Sequence, residues 1–331
     1  MPQARIALLS NPKSTGNQSQ LPRIRAFCAE HPDIFHYEVE KVDQIGDALR
    51  TIARVKPKML VINGGDGTVQ AALTELTNGR AFGDTPPPMA VLPNGKTNLI
   101  ALDLGAHGDP VIALGRLLGL ARADLSTHLV ARELIALRCG ALNARPVIGM
   151  FLGGGGLADT MLYCRERIYP LGLPNGLSHV ITAFALLVRM LFGLRLSFLP
   201  PAPSQLEVSV RRQGRLSGKY TLLAVTTLER LLLSSDVHSV AQDGVAGRGG
   251  RLKLLAIDHR AGSLLRGLAA ASMGRLGQRK LAGVHVEEAD EIRIDGDRPK
   301  VILDGETFQA GAGRPIHLST AAPLSFVRLA A

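Results

Sequence analysis

Gly64-Gly65-Asp66-Gly67-Thr68 sets one carboxylate among glycines, directly after the apolar run Met59-Leu60-Val61-Ile62 and before a segment with helical apolar spacing. Glycines let a backbone approach a ligand without a Cβ in the way and adopt positive φ, and Thr68 is placed to cap a helix beginning near Val69. Free N–H groups and the positive end of a helix dipole then point at one spot, which is phosphate-binding geometry. The same residues would also make a plain tight turn between strand and helix. Only partner loops separate the two cases.

Two such loops exist. Asn11-Pro12-Lys13-Ser14-Thr15-Gly16-Asn17 follows a β-prone run over residues 5–10, and Pro93-Asn94-Gly95-Lys96-Thr97-Asn98 follows the run 89–92 and precedes an apolar helix starting near Leu99. Helices are expected over 20–30 and 44–54, and strands over 34–40 and 59–63. This βαβαβ progression predicts a Rossmann-like parallel α/β domain with ligands beyond the carboxyl ends of its strands. All three polar loops then share one sheet edge. Asn11, Ser14, Thr15, Gly64, Gly65, Asp66, Gly67, Thr68, Gly95, Lys96, Thr97 and Asn98 become the candidate binding residues.

From about Leu125 the texture changes. Strand-like pieces at 133–138, 147–152, 206–211, 220–226, 252–257, 291–294, 301–303 and 316–319 predict a mostly antiparallel second domain. Two apolar helical insertions with flanking arginines lie at 177–196 and 262–276. The stretch 177–198 is the most hydrophobic, but Arg189 and Arg195 interrupt it and Pro200-Pro201 closes it before the roughly 20 clean apolar residues of a membrane span accumulate. It reads as buried core or as a helix at a lipid surface. Gly153 to Gly156 reads as a close backbone crossing. Asp304-Gly305, between Val301-Ile302-Leu303 and Thr307-Phe308, is a strong hairpin turn, with Asp295-Gly296-Asp297 a rival of similar composition.

A chain of 331 residues is comfortable for two domains. Its net charge of +10, from 38 Lys+Arg against 28 Asp+Glu, calls for an anionic partner: nucleotide phosphates, an anionic membrane surface, or nucleic acid. Nucleic acid is the weakest of these, because aromatics are only 4% and no stacking motif or zinc-finger spacing accompanies the scattered basic residues. Cys28, Cys139 and Cys164 are far apart and odd in number, which suits free thiols in a reducing cytoplasm. The apolar run before Asn11-Pro12 is too short for a signal-peptide core, so a cytoplasmic location is expected.

Four motifs in order carry a family resemblance: Asn11-Pro12 with Ser14 to Gly16, Gly64-Gly65-Asp66-Gly67-Thr68, Pro93-x-Gly95-x-Thr97-Asn98, and Asp304-Gly305-Glu306. The chain resembles the diacylglycerol kinase catalytic-domain family, which includes bacterial soluble lipid kinases, sphingosine kinases and ceramide kinases. The resemblance implies a nucleotide-binding α/β domain over 1–124, a β-sandwich-like lipid-substrate domain over 125–320, and a return strand to the first domain within 321–331. ATP and a lipid alcohol are the implied substrates, with Mg²⁺ as cofactor and peripheral contact with an anionic membrane surface. A homo-oligomer is admitted but not specified.

Transfer of a γ-phosphoryl group to an alcohol needs a phosphate cradle, a cation and a carboxylate that orients or deprotonates the hydroxyl. The glycine loops supply the first and Mg²⁺ the second. Asp66, with Asp304 and Glu306 preferred by the family order, are the candidate catalytic acids. Three positions depart from the family: Lys96 stands for the usual threonine, Leu99 for the second acid of that loop, and Ala71 for a glutamate. Where many bacterial members read Asp-Gly-x-Leu-Asp, associated with a structural metal, this chain reads Gly249-Gly250-Arg251-Leu252-Lys253, so the metal ligands stay unknown. Two alternatives stand beside the lipid kinase. One is a kinase of a soluble acceptor, as NAD kinases share a glycine-glycine-aspartate-glycine loop; the other is a catalytically impaired nucleotide-binding regulator. A Rossmann dehydrogenase is disfavoured, since the first loop lacks the dinucleotide glycine fingerprint.

Overall fold

The computed structural model of the protein describes residues 5–95, 98–163, 203–211, 214–228 and 252–329. Lys96, Thr97, Cys164, the apolar stretch 177–198 and residues 249–251 lie outside them. The chain forms two compact units, one of residues 1–136, 145–150 and 321–331, the other of 137–144 and 151–320.

The first unit contains β1 (Ile6–Ser10), α1 (Asn17–Glu30), β2 (Ile34–Glu38), α2 (Ile45–Arg54), β3 (Met59–Asn63), α3 (Asp66–Gly79), β4 (Met89–Val91), α4 (Leu99–Asp103) and α5 (Pro110–Arg122). Its strands are parallel in the order β2-β1-β3-β4. Every residue of β1 and β3 is buried, as strands covered on both faces require. On one face Ile6, Leu8, Met59, Val61 and Leu92 pack with Ile24 of α1 and Leu114, Leu117 and Leu118 of α5. Alternation along a strand sends Ala7, Leu9, Leu60 and Ile62 to the opposite face. There α2 and α3 pack against each other and against β2 and β3. The α2 helix buries Ile45, Ala48, Leu49 and Ile52, the i, i+3, i+4, i+7 pattern of a one-sided helix. Register sets Ser10 opposite Asn63 and Ile62 opposite Val91, so β1, β3 and β4 end together and their loops leave from one edge.

The remaining elements are β5 (Leu129–Cys139), β6 (Val147–Gly149), β7 (Phe151–Gly154), α6 (Gly156–Tyr163), β8 (Gln205–Val210), β9 (Gly214–Thr226), β10 (Leu252–Asp258), α7 (Ala261–Ser272), β11 (Val284–Ala289), β12 (Glu291–Asp295), β13 (Lys300–Leu303), β14 (Glu306–Gln309) and β15 (Ile316–Val327). Strands of the second unit are antiparallel in the order β14-β13-β7-β9-β8-β12-β15, and β10 pairs with β9 and β11. A parallel N-terminal sheet with helices, followed by antiparallel strands, is the fold class that the sequence pattern predicts. Among the described residues no helix is long and apolar enough to cross a membrane. Cys28 and Cys139 are free thiols, and burial pushes the Cys28 thiol up to about 11, far from nucleophilic chemistry.

Three elements differ from the sequence pattern. The helix expected from Val69 with Thr68 as its cap begins at Asp66, with Gly65 as N-cap. The segment 316–319 extends to Val327, where Phe326 pairs in parallel with Met89. The resemblance implies a return strand within 321–331 but not its continuity with 316–319; Pro323 lies between them at an exposed position where its missing N–H is tolerated. Lastly, β11 pairs with β10, its one partner among the described residues; its polar middle, His285-Val286-Glu287-Glu288, hides the strand in the sequence.

Gly153 to Gly156 is the close crossing expected. Gly155 has φ +58°, and a Cβ there would lie 2.8 Å from the Tyr220 backbone oxygen; on Gly156 it would lie 2.7 Å from that of Thr221. A carbonyl inside a ladder cannot swing away as a side chain can. Gly156→Ala is therefore expected to cost about 1–3 kcal/mol by overpacking, read as a lower urea midpoint at unchanged slope.

Candidate active site

The three loops do converge. A Cβ on Gly65 would sit 3.5 Å from Ser14 Oγ, and one on Gly95 would sit 3.0 Å from the Gly65 Cα and 3.6 Å from the Asp66 nitrogen. On Gly16 a Cβ would collide with the backbone oxygen and Oδ1 of Asn94. Glycine is required at Gly16 and Gly95 because a Cβ there would press on backbone, which is a stronger reason than turn formation alone, whereas at Gly65 a Cβ would meet only ordinary contact distances.

Beneath the loops lies a belt of buried amides. Asn63 Nδ2 donates to Ser10 Oγ at 2.9 Å, and Asn94 Nδ2 donates to Asn63 Oδ1 at 2.8 Å and also to Asn17 Oδ1. Asn17 Nδ2 in turn donates to the carbonyls of Asn11 at 2.7 Å and Asn63 at 3.1 Å. Asn11 Nδ2 donates to Thr68 Oγ1 at 3.0 Å, while its Oδ1 accepts from the Lys13 N–H at 3.0 Å. At the far end His36 Nε2 meets Ser10 Oγ at 2.8 Å, and burial holds its imidazole below the usual value. Side-chain hydrogen bonds thus link the ends of neighbouring strands to the starts of α1 and α3.

This placement divides the candidate residues. Asn11 and Thr68 spend their polar atoms on each other and on Lys13, so they hold the loops in position. Asn98, at φ +54°, staples the third loop: the Gly95 N–H donates to its Oδ1 at 2.6 Å and its Nδ2 donates to the Gly95 oxygen at 2.9 Å. Ser14 Oγ donates to the Asn94 oxygen at 3.3 Å, and Thr15 is exposed. Gly64 is buried under Thr68, while Gly65 and Gly67 remain partly open. Lys96 and Thr97 lie outside the described residues. Asn17, Asn63 and Asn94 are site residues that the motif search overlooks. The signal for Asn63 and Asn94 was an asparagine at or just beyond the end of an apolar run, whereas Asn17 stands at the start of α1, seven residues past β1.

Asp66 is different in kind. It opens α3, whose first N–H groups have no partner within the helix, and its half-buried carboxylate has no hydrogen bond or ion pair among the described residues. Burial pushes it up to about 6 from an ordinary 3.8. No cluster of three metal-ligating side chains occurs among the described residues. Leu99 starts α4 and Ala71 lies on α3, so neither restores a second acid here.

Asp304 and Glu306 belong to the second unit. Asp304 and Gly305, at φ +45° and +88°, make a hairpin turn with both central residues in the left-handed region. Asp304 is buried and pinned: its N–H donates to the Phe151 oxygen at 2.9 Å and its Oδ1 accepts from the Phe151 N–H at 2.9 Å. Glu306 is exposed on β14. The rival Asp295 is occupied by a bidentate bond from Arg293.

Residues 5–127 match the family model described as the diacylglycerol kinase catalytic domain, a stretch that holds the first three of the four motifs. The whole chain is similar in fold to a diacylglycerol kinase from Bacillus anthracis str. Sterne, at 14% identity and TM-score 0.60, covering 100% of this chain and 98% of that one. A second structure from that organism, assigned provisionally to the same kinases, gives 14% identity and TM-score 0.64 over 100% and 99% of the two chains. No curated protein sequence matches the chain.

Two outcomes are expected. Asn94→Ala strands Asn63 Oδ1 and Asn17 Oδ1 without a donor, which costs about 2 kcal/mol or more in urea unfolding. The Asp66 carboxylate, raised in the folded state, costs stability as pH rises from 3.8 toward about 6. Asp66→Asn is accordingly expected to raise Tm near pH 8, by on the order of 2 kcal/mol of stability, with the gain fading as pH falls below about 5. An equal gain at all pH values would show that charge burial is not the cause.

Proposed function

We propose that the protein is an ATP-dependent lipid kinase, transferring the γ-phosphoryl group to the hydroxyl of a membrane lipid alcohol of diacylglycerol type, with ceramide or a sphingoid alcohol as related acceptors. The observation that carries this reading is Asp66: a half-buried carboxylate without a partner among the described residues, set among three glycine loops in a stretch matching the diacylglycerol kinase catalytic domain.

In this reading the triphosphate rests against the loops at Ser14, Gly65 and Gly95 and on the first N–H groups of α3, where the helix dipole offsets negative charge. Asp66 accepts the hydroxyl proton as the acceptor oxygen bonds to phosphorus and the bond to the departing ADP breaks. With burial pushing it up to about 6, it is ionised near neutrality yet basic enough to take that proton. Mg²⁺, which keeps several waters and rides largely on substrate phosphates, would neutralise phosphate charge and asks little of the protein's donor set. Asp304 shapes the turn that displays Glu306, and these two are the candidate acids of the second unit. The buried asparagines keep the cradle rigid, so that it is formed before the nucleotide arrives.

The test is a radiolabelled-ATP assay with Mg²⁺ and detergent-dispersed diacylglycerol, ceramide and sphingosine, resolved by thin-layer chromatography. Label is expected in one organic-phase product, with a loss of about 10²-fold or more for Asp66→Asn and a smaller loss for Glu306→Gln. Label confined to a water-soluble product would turn the assignment to a soluble acceptor. Nucleotide binding without transfer to any acceptor would leave a regulator.

A further inference from the structure

The helix α7 is built the wrong way round for a helix at home in water. Its inward face consists of small residues, Ser263, Gly267, Ala270 and Ala271. A Cβ on Gly267 would lie 2.7 Å from Ile257 Cδ1, so the helix is laid down tightly on β10 with no room for a larger side chain beneath it. The bulky apolar residues therefore point outward: Leu265 is 56% exposed, Leu268 49% and Met273, just past the helix end, 62%. A soluble amphipathic helix places such residues on its buried stripe.

Charge around this face is one-sided. Between Asp258 and Glu287 the chain has no acidic residue, while Arg260, Arg266, Arg275, Arg279 and Lys280 are all exposed. Elsewhere in the same unit three arginines are paired with acids, Arg211 with Glu291, Arg215 with Glu207 and Arg293 with Asp295. The five cations around α7 have no acid partner among the described residues. An apolar stripe rimmed by cations alone is complementary to a bilayer whose headgroups are anionic and whose acyl region lies a few ångströms deeper.

We infer that the exposed face of α7, with the turn that follows it, is the surface by which this protein docks on an anionic lipid bilayer. Leu265, Leu268 and Met273 enter the acyl boundary, and Arg260, Arg266, Arg275, Arg279 and Lys280 lie along the phosphate plane. The acceptor of a lipid kinase resides in that bilayer, so the inference deepens the function proposed above by naming how the protein reaches it.

The test uses the full chain without ATP, pelleted with vesicles of phosphatidylcholine alone or mixed with phosphatidylglycerol. Binding to the mixed vesicles only, weakened by added salt, is expected. Leu265→Ser combined with Leu268→Ser should lower partitioning at least about tenfold, as should alanine at Arg275, Arg279 and Lys280 together. Because the chain contains no tryptophan, Leu268→Trp supplies a single reporter whose emission should shift to the blue on adding mixed vesicles. This readout stands even if a multiple variant fails to fold. Wild-type partitioning in the serine variant, or pelleting with no blue shift, would place docking elsewhere and overturn the inference. A blue shift that grows with protein concentration in the absence of lipid would make the face a contact between copies, and would overturn it too. A chain that docks through α7 yet phosphorylates no lipid would sink only the kinase assignment; one that phosphorylates dispersed lipid but fails to dock would sink only this inference.

Discussion

The buried asparagine belt is the constraint on which the site depends. Asn17, Asn63 and Asn94 are almost without solvent contact, and an amide there is tolerable only if its donors and acceptor are matched. Each matches the next, so the ends of β1, β3 and β4 are fixed relative to one another by side chains as well as by the sheet ladder. The glycine loops can then meet at backbone distance without collapsing on each other. Remove the belt and the same loops would be three independent turns with no shared centre.

On that rigid base one group is left unsatisfied. Asp66 costs the folded state free energy at neutral pH because burial disfavours its charge and no cation answers it among the described residues. With the role proposed for Asp66, stability and chemistry would pull in opposite directions at this residue, as is common where a carboxylate is kept basic for a task. The asparagine belt and the fully buried β1 and β3 offset that cost. Asp304 shows the contrary arrangement, with a carboxylate oxygen committed to a backbone N–H and a hairpin turn built around it.

Much of the first unit was legible in the chain. An uninterrupted apolar run has few ways to be satisfied other than burial on both faces, so β3 has the bounds that its residues suggest. Local signals failed where a long-range partner decided the matter. Thr68 looks like a cap, but Asn11 claims its hydroxyl and the helix starts earlier. Pro323 looks like a strand breaker, but pairing with β4 carries β15 past it. The polar residues of β11 look like a loop, but β10 offers them an edge. The outward leucines of α7 read simply as apolar content until packing assigns them a side.

By itself the sequence determined which segments are buried, which loops carry glycine, and the order of motifs in which the chain resembles the diacylglycerol kinase catalytic-domain family, because these are legible in residue type and local spacing. Only the tertiary structure decided that Asn17, Asn63 and Asn94 form one network, that Asn11, Thr68 and Asn98 are tied into the scaffold, and that Asp66 has no partner among the described residues. The physical reason is that hydrogen-bond satisfaction and desolvation are properties of groups distant in the chain. A residue's type states what it could bond, and the fold alone determines whether a partner is present.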